Sequence, residues 1–277
     1  MIERVKISVV MSVYKNDNDS FFKEAIESVL QQTYLPSEII LVVDGEVNIG
    51  IDSLLLDYEK NKLFNIIRLP KNGGLANALN VGIQSSKYSL IARMDSDDIC
   101  FSDRFEKQVE HLVKYNLDIV GGQIIEFGKD INDVVSARKV PLEHLEMIDF
   151  MKVRSPFSHP TILFQKNVFE KLNGYDIKTF PEDYDFFVRA YLNGFRFGNI
   201  DHDVLWFRLG EDRSKAIKRR WGVQYAKNEI KLYKKFLHMD FYNYVDFLKV
   251  IFLKIPLRVL PFPIYKYVYF NILRKNS

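Results

Sequence analysis

The sequence has very little cysteine and no long apolar run. Cys100 is the only cysteine among 277 residues, so no internal disulfide can form, and we expect a reducing compartment. Because no uninterrupted stretch of about 18 apolar residues occurs, the sequence predicts no membrane-spanning helix. The first residues carry both charge signs and lead into a strand-like run, so we also expect no secretory leader. These absences favour a cytoplasmic globular protein.

Several nucleotide-binding signatures are also missing. The stretch KNGGLANALN, residues 71–80, places two glycines at a helix start, but no Gly-Lys-Ser/Thr follows, which excludes a P-loop. The fingerprint Gly-x-Gly-x-x-Gly is absent as well, which argues against a Rossmann oxidoreductase. No known nucleic-acid-binding motif accompanies the basic residues, so we expect no nucleic-acid partner.

The net charge of +3 conceals two parts of opposite charge. Residues 218–277 hold 13 Lys or Arg and three acids, a net of +10, whereas residues 1–217 hold 26 basic and 33 acidic residues, a net of −7. A chain that is 47% apolar can bury a substantial core. We therefore predict a globular domain over residues 1–215 and a basic, aromatic, helical region over residues 216–277.

Strand-like and helix-like segments alternate through the first half of the chain. The apolar runs VKISVVMSVY, SEIILVVDG, FNIIRLP, YSLIARMD and DIVGGQIIEFG are separated by segments with helical spacing of apolar residues, the first of which Asp19 or Ser20 can cap. This order predicts an α/β fold with a mostly parallel sheet and helices on both faces. Ligands of such sheets bind outside the carboxyl ends of the strands.

Three acids follow the fourth strand-like run at this ligand-binding edge. Asp95, Asp97 and Asp98 stand within four positions of one another. A solvated turn with a helix cap is one interpretation. The position at the end of a buried strand favours another, in which a hard divalent cation such as Mg²⁺ or Mn²⁺ is held by carboxylates and substrate phosphates.

Six stretches in a fixed order carry a resemblance to a known family. They are ISVVMSVYKND, VVDG, NGGLANALNVGI, ARMDSDD, HPTILF and PEDYDFFVRA, between Val5 and about Gly210. Together they resemble family 2 glycosyltransferases of the GT-A (Rossmann-like) fold, which build bacterial surface polysaccharides. The resemblance implies that Asp97 ligates a divalent metal that bridges the diphosphate of a sugar nucleotide. It places Asp95 beside the metal or towards the ribose or donor sugar, with Asp98 as a further candidate ligand.

The same resemblance implies contacts to the donor nucleotide. Tyr14 and Asp44, each at a strand end, are expected to hold the nucleoside, although this chain has VVDGE where many relatives have two acids before Gly-Ser. A turn with a helix cap is the alternative for the glycine stretch, whose donor candidates are Lys71, Asn72 and Gly74. Arg93 is expected either to neutralise Asp95 or to contact the nucleotide.

The pair Glu182-Asp183 precedes a predicted helix, where acids suit the helix dipole for purely structural reasons. The resemblance implies that Asp183 is the general base, with Glu182 beside it, and that a single displacement inverts the anomeric centre. His159 is a weaker candidate near the acceptor or pyrophosphate. The stretch WFRLGEDRS lacks the metal-ligating His of many relatives, and Arg208 and Arg213 are candidate diphosphate partners there.

The tail after about Trp221 interleaves Lys and aromatic residues with apolar ones. It predicts an element that lies in the lipid headgroup layer, and a helical hairpin packed on the catalytic domain is the alternative. The chain is thus expected to transfer a sugar from a nucleoside-diphosphate sugar, with UDP as the first choice, to a lipid-linked glycan at the inner membrane surface. The competing hypothesis is a non-catalytic sugar-nucleotide-binding or scaffold protein of an assembly complex.

Overall fold

One mixed sheet forms the centre of the computed structural model, which describes residues 5–210 and 213–269. Its strands in the described residues are β1 (Ile7–Val13), β2 (Glu38–Asp44), β3 (Phe64–Leu69), β4 (Leu90–Met94), β5 (Ile99–Cys100), β6 (Ile119–Phe127), β7 (Val134–Arg138), β8 (Leu163–Gln165) and β9 (Phe197–Arg208). Their order in the sheet is β3-β2-β1-β4-β8-β6-β9-β5, with β7 paired to β6.

Helices cover both faces of this sheet. Those of the first part are α1 (Asp19–Leu30), α2 (Ile49–Tyr58), α3 (Leu75–Gln84), α4 (Arg104–Tyr115), α5 (His144–Met151), α6 (Lys166–Leu172) and α7 (Glu182–Leu192). The C-terminal helices are α8 (Arg213–Lys218), α9 (Val223–His238), α10 (Tyr244–Val259) and α11 (Phe262–Val268). The predicted α/β class is confirmed. The first helix, however, is capped by Asn18, whose side chain accepts from Phe21 N, and not by Asp19 or Ser20.

The sheet departs from simple parallel winding beyond its fourth strand. Strands β1 to β4 pair in parallel, as the alternation predicts. The strand β8 then lies between β4 and β6 and is antiparallel to both. The sequence predicts a short strand within SHPTILFQKNVFEKLNGYD, where β8 lies, but a strand of three residues carries too little pattern to predict its place or direction in the sheet. The short strands β5 and β7 were not predicted.

The alternation of side chains along the strands divides the core into two layers. On β1, Ile7, Val9 and Met11 pack on the side of α1, α2 and α4, while Val10 packs on the other side. That other layer is continuous from α3 through α5, α6 and α7 to α9 and α10. Because side chains of a strand point alternately to opposite faces, nearly unbroken apolar strands require this two-sided cover.

The C-terminal helices share this second apolar layer with the sheet. Phe236, Phe241, Tyr242 and Val250 are buried in the same cluster as the sheet residues. A capping box of Asn243 and Asp246 starts α10. Lys152 from the end of α5 forms an ion pair with Asp246, 3.1 Å away. The hairpin α9–α10 is therefore packed on the first domain through one of its faces. Among the described helices, none has both the length and the apolar character that a membrane crossing requires.

Candidate active site

The carboxyl ends of β1, β2 and β4 meet at one edge of the sheet, as parallel pairing requires. At the end of β2, Asp44 accepts hydrogen bonds from Gly73 N at 2.7 Å and Gly74 N at 2.9 Å. Gly74 adopts φ of 85°, a conformation that favours glycine, and directly precedes α3. The anion that these turn amides bind is thus the carboxylate of Asp44, which fixes the glycine turn to the sheet edge.

The other predicted donor-binding residues flank this turn. Asn72 donates to the Asp44 backbone carbonyl at 3.2 Å, and Lys71 is exposed. Tyr14, half-buried at the end of β1, donates its backbone N–H to Asp17. Because Val13 pairs with Val43, Tyr14 and Asp44 lie side by side at this edge of the sheet, with Lys71 and Asn72 next to Asp44.

The positive charge that accompanies the acid turn comes first from Arg93 on β4. Its guanidinium is 2% exposed and forms a two-point ion pair with Asp95, in which Nη1 lies 2.8 Å from Oδ2. Such bidentate pairs fix both partners in orientation. Arg93 thereby neutralises Asp95 at the end of its own strand.

A second arginine supports the acid turn from β9. Arg208 N donates to Asp98 Oδ1 at 2.9 Å, and Arg208 Nε donates to the Asp97 carbonyl at 2.8 Å. Its guanidinium also pairs with Glu24 and lies 3.9 Å from the centre of the Phe21 ring. Because this side chain is buried and engaged on every side, the expectation that it contacts the diphosphate is not supported. The side chain of Arg213 lies outside the described residues.

The three turn acids are close enough to share one cation. One carboxylate oxygen from each of Asp95, Asp97 and Asp98 lies within 4.8 Å of the others. Asp98 is fully buried, and its Oδ2 has no hydrogen-bond partner in the described residues. Such an orphaned carboxylate oxygen is costly unless a cation or a proton satisfies it. The donor set, all hard oxygen, suits Mg²⁺ or Mn²⁺.

Electrostatics at this turn show how much negative charge the site concentrates. Desolvation, and after it the charges of Asp95 and Asp17, raise the pKa of Asp97 to about 7, although part of this residue is exposed to solvent. Burial, with the charges of Asp97 and Asp95, raises the pKa of Asp98 well above its ordinary value. A bound divalent cation would compensate the charges of these carboxylates and so offset the repulsion that raises the pKa values of Asp97 and Asp98.

Asp17 is a fourth acid that the sequence analysis missed. It follows β1, and its Oδ2 accepts from Ser96 Oγ at 2.8 Å, which joins the β1 loop to the acid turn. Desolvation raises its pKa. Its place directly after the first strand, at the ligand-binding edge, was the signal that could have found it.

The pair Glu182-Asp183 begins α7 and lies near enough to the acid turn to interact with it electrostatically. Both side chains are half-buried. Desolvation, then the charge of Asp183, raises the pKa of Glu182 to about 7, and desolvation also raises the pKa of Asp183. Arg93 acts on both acids electrostatically, and Asp95 acts on Glu182. The structure thus brings together the acid turn and the predicted base, which are almost 90 residues apart in the sequence.

His159 is buried and lies near enough to Arg93 to interact with it electrostatically. Its Nε2 is 2.9 Å from the Tyr175 hydroxyl, and its ring packs against Phe187. Burial, with the charge of Arg93, holds the pKa of His159 well below its usual range. These contacts favour the neutral form of the ring.

Comparisons with known proteins identify the family to which the chain belongs. The sequence model of "Glycosyl transferase family 2" matches residues 8–172. An uncharacterized glycosyltransferase of Haemophilus influenzae is 36% identical over 98% of this chain and 100% of its own length. The Escherichia coli "UDP-Gal:alpha-D-GlcNAc-diphosphoundecaprenol beta-1,3-galactosyltransferase" is 31% identical over 98% of this chain and 97% of its own length. The amylovoran biosynthesis glycosyltransferase AmsE of Erwinia amylovora is 28% identical over 95% of this chain and 97% of its own length.

Solved structures show the same fold. TarS of S. aureus in complex with UDP-GlcNAc aligns with a TM-score of 0.66 over 92% of this chain and 72% of its own, at 15% identity. The mannosyltransferase PcManGT of Pyrobaculum calidifontis, in complex with GDP-Man and Mn²⁺, aligns with a TM-score of 0.66 over 95% of this chain and 72% of its own, at 15% identity. The fold is that of the GT-A glycosyltransferases. The match of the family model and the relatives above 30% identity confirm the resemblance read from the six motifs, and the chain belongs to glycosyltransferase family 2.

Proposed function

We propose that this protein is an inverting, divalent-metal-dependent glycosyltransferase of the hexosyltransferase type. It transfers a sugar from a nucleoside-diphosphate sugar, a UDP sugar in the first place, to a lipid-linked glycan in O-antigen, capsule or exopolysaccharide synthesis. The observation that carries the proposal is the proximity of the clustered acids Asp95, Asp97 and Asp98 to the Glu182-Asp183 pair. A carboxylate turn for a metal and diphosphate, near a partly buried carboxylate base, is the set of groups that sugar transfer requires.

The donor site is assembled by the first part of the chain. Tyr14 and Asp44 hold the nucleoside, while Lys71, Asn72 and the Gly74 turn line its phosphate side. Asp97, with Asp95, ligates the metal, which when bound stabilises the charge of the departing nucleoside diphosphate. Arg93 holds the Asp95 carboxylate in a fixed orientation. The neighbour complexes with UDP-GlcNAc and with GDP-Man and Mn²⁺ support a nucleotide-sugar donor.

The transfer itself needs one base and one displacement. Asp183 accepts the proton of the acceptor hydroxyl as that oxygen attacks the anomeric carbon, and the bond to the diphosphate breaks. Because the leaving diphosphate stays anionic, no protein acid has to protonate it. A single attack opposite the leaving group inverts the anomeric centre. Glu182, with its raised pKa, is the neighbour that would take over if Asp183 were not the base.

An acceptor linked to lipid is supported by the relatives and by α10. The E. coli relative is named for a diphosphoundecaprenol acceptor. On α10, Tyr244, Val245, Leu248 and Phe252 lie on one face and are 76, 73, 50 and 72% exposed. A helix face of this kind, beside basic residues, suits the boundary between headgroups and acyl chains. We therefore propose that the protein lies peripherally on the inner face of the cytoplasmic membrane.

Replacing two residues of this exposed face should weaken membrane binding. We expect Val245→Ser/Phe252→Ser to bind anionic vesicles at least about ten-fold more weakly, because each large apolar side chain contributes on the order of 1.5–3 kcal/mol when fully buried. Vesicle sedimentation measures the effect. Point variants are needed because removing the tail from residue 241 onward would also remove the buried Phe241 and Tyr242.

The matched control is Leu145→Ser on α5, a residue that is 77% exposed outside the C-terminal helices. It should leave vesicle binding unchanged. High salt should weaken binding of the wild type without abolishing it, because charges are screened and apolar contacts are not. Equal binding by the wild type and the double variant would refute the membrane role.

Replacing Arg208, whose side chain contacts the acid turn, by lysine should weaken metal binding. Arg208→Lys loses the contacts to the Asp97 carbonyl and to Glu24, while the backbone bond to Asp98 remains. Groups that orient metal ligands typically contribute 10–100-fold in affinity, so we expect Mn²⁺ to bind roughly 10–100-fold more weakly. Paramagnetic titration measures this, with the exposed Arg196→Lys as the control. Unchanged Mn²⁺ affinity would assign Arg208 a structural role only.

The function is tested by incubating the protein with Mn²⁺, a short-chain GlcNAc-diphospho-lipid and, in turn, UDP-galactose, other UDP sugars and GDP-mannose. Mass spectrometry of the lipid should show one added sugar with one donor class. The competing scaffold hypothesis predicts nucleotide-sugar binding without any product. The three clustered acids and the half-buried Asp183 nearby favour turnover over that outcome.

A further inference from the structure

A cluster of cations lies beside the base and is not used by the donor site. We define the C-terminal cation cluster as the side chains of Arg138, Arg154, Arg220, Lys254 and Arg258. They come from β7, from the loop after α5, from the segment between α8 and α9, and from α10. Arg154, Arg220 and Arg258 all act electrostatically on Lys254, and Arg154 and Arg220 act on Arg138, so these cations from four separate parts of the chain lie near one another.

Hydrogen bonds and ring contacts fix this place relative to the base. Arg258 donates to the Tyr265 hydroxyl at 2.7 Å, and that hydroxyl donates to the Arg220 carbonyl. The Arg258 guanidinium lies 4.8 Å from the Tyr225 ring centre, and Tyr225 contacts the ring of Phe180, two residues before Glu182. Arg220 and Arg138 both act electrostatically on Asp183. The cluster therefore lies near Asp183.

Part of the positive charge of this cluster has no ion-pair partner among the described residues. Glu229 binds Arg258 at two points, 2.8 and 3.0 Å, and so accounts for one cation. Among the described residues, neither Lys254 nor the Arg220 guanidinium has an ion-pair partner, and Arg138 Nε is buried without a hydrogen-bond partner. Burial, together with Arg154 and Arg220, lowers the pKa of Arg138 to about 9, while burial and neighbouring arginines lower that of Lys254 to about 8. Such a site favours a ligand with several negative charges.

The proposed function limits which anion this is. The donor diphosphate belongs at the acid turn, whereas the cluster lies beside the base, where the acceptor hydroxyl must be. The same helix α10 that carries Lys254 and Arg258 on its protein side presents Tyr244, Leu248 and Phe252 outward. A ligand with a diphosphate head and an apolar chain matches both features.

Resting on the proposed function, we propose that the C-terminal cation cluster is the subsite for the diphosphate of a lipid-linked acceptor. The diphosphate binds Lys254, Arg220 and Arg138, and the sugar attached to it reaches Asp183. The basic C-terminal helices thereby select an acceptor that carries a diphosphate, in addition to any contact they make with the membrane.

The test is a binding titration that requires no turnover. Farnesyl diphosphate, inorganic pyrophosphate and farnesol are titrated into the full-length protein with UDP and Mn²⁺ at saturation. We expect farnesyl diphosphate and pyrophosphate to bind and farnesol not to bind. Lys254→Gln and Arg220→Gln should each weaken diphosphate binding about ten-fold, as expected for a lost charge-assisted contact. If farnesyl diphosphate binds more tightly than pyrophosphate, the ligand of the subsite is a lipid headgroup. If the two bind equally, the ligand is a free diphosphate. Both results support the subsite.

The matched control is Lys249→Gln, an exposed lysine on the same helix, which should bind like the wild type. Lys254→Gln and Arg220→Gln should also keep the wild-type affinity for UDP, which shows that they fold and that the donor site is intact. Unchanged diphosphate affinity in both variants would overturn the proposal. So would complete competition with UDP, in which the diphosphate binds without UDP but not at saturating UDP. A failure of sugar transfer alone would leave this binding result standing, so the two proposals fail separately.

Discussion

Asp183→Asn should lower turnover by roughly 10²- to 10⁴-fold, because the amide keeps the shape of the carboxylate but cannot accept a proton. The affinity for the nucleotide sugar should stay nearly unchanged, since the donor site lies at the ends of β1, β2 and β4. Steady-state rates with saturating donor and acceptor, compared with donor titration by calorimetry, separate the two effects. The variant Glu182→Gln should retain more activity than Asp183→Asn.

The pH dependence should follow the base. Desolvation raises the pKa of Asp183, so the group is a carboxylate only above a pH higher than an ordinary aspartate requires. Turnover should therefore fall as the pH is lowered through that raised value, and the acid limb should disappear from the residual activity of Asp183→Asn. Wild-type turnover by Asp183→Asn would move the role of base to another residue, first of all Glu182.

Asp97→Asn should weaken nucleoside-diphosphate binding in the presence of Mn²⁺ by roughly 10²- to 10³-fold. A bound cation contributes several kcal/mol of charge stabilisation to a diphosphate, and a lost carboxylate ligand removes the larger part of it. Chelation of the metal should reproduce the effect in the wild type and add little in the variant. UDP titrations with and without chelator measure both.

The matched control for Asp97 is Asp57→Asn, an exposed acid on α2 that pairs with Lys60. It should bind UDP and Mn²⁺ like the wild type. Full activity of Asp97→Asn in excess chelator would show that transfer does not require a metal.

The position of the acid turn could be predicted because it follows from strand periodicity. The run before Asp95 is a buried strand, and its end falls on the ligand-binding edge in any sheet of this class. The same reasoning located Tyr14 and Asp44. It also predicted that helices cover both faces of the sheet, because unbroken apolar strands must be buried on two sides.

Contacts between distant segments could not be predicted from the pattern. Arg208 binds the acid turn from more than 100 residues away, and no local feature distinguishes it from an arginine that faces a phosphate. Asp44 binds the glycine turn in the same way, so a group expected to hold the nucleoside also holds the backbone. The short strand β8 was predicted, but its antiparallel place between β4 and β6 depends on pairing with distant strands that no local pattern shows.

The C-terminal region shows why amphipathic segments remain ambiguous in a sequence. The pattern of α10 suited both a packed hairpin and a membrane-surface helix. In the structure, Val250 and its neighbours pack on the domain while Tyr244 and Phe252 are exposed. One helix with two apolar sides is compatible with both interpretations, and only the fold shows which residues belong to each side.

The measurement that tests the account most directly is the anomeric configuration of the product. The protein is supplied with an α-linked nucleotide sugar, the diphospho-lipid acceptor and Mn²⁺, and the new glycosidic linkage is determined by NMR. We expect a β linkage. Its formation should require the metal and stop on chelation, and only a trace should form with Asp183→Asn. An α linkage, or the same product in excess chelator, would contradict an inverting, metal-dependent transfer.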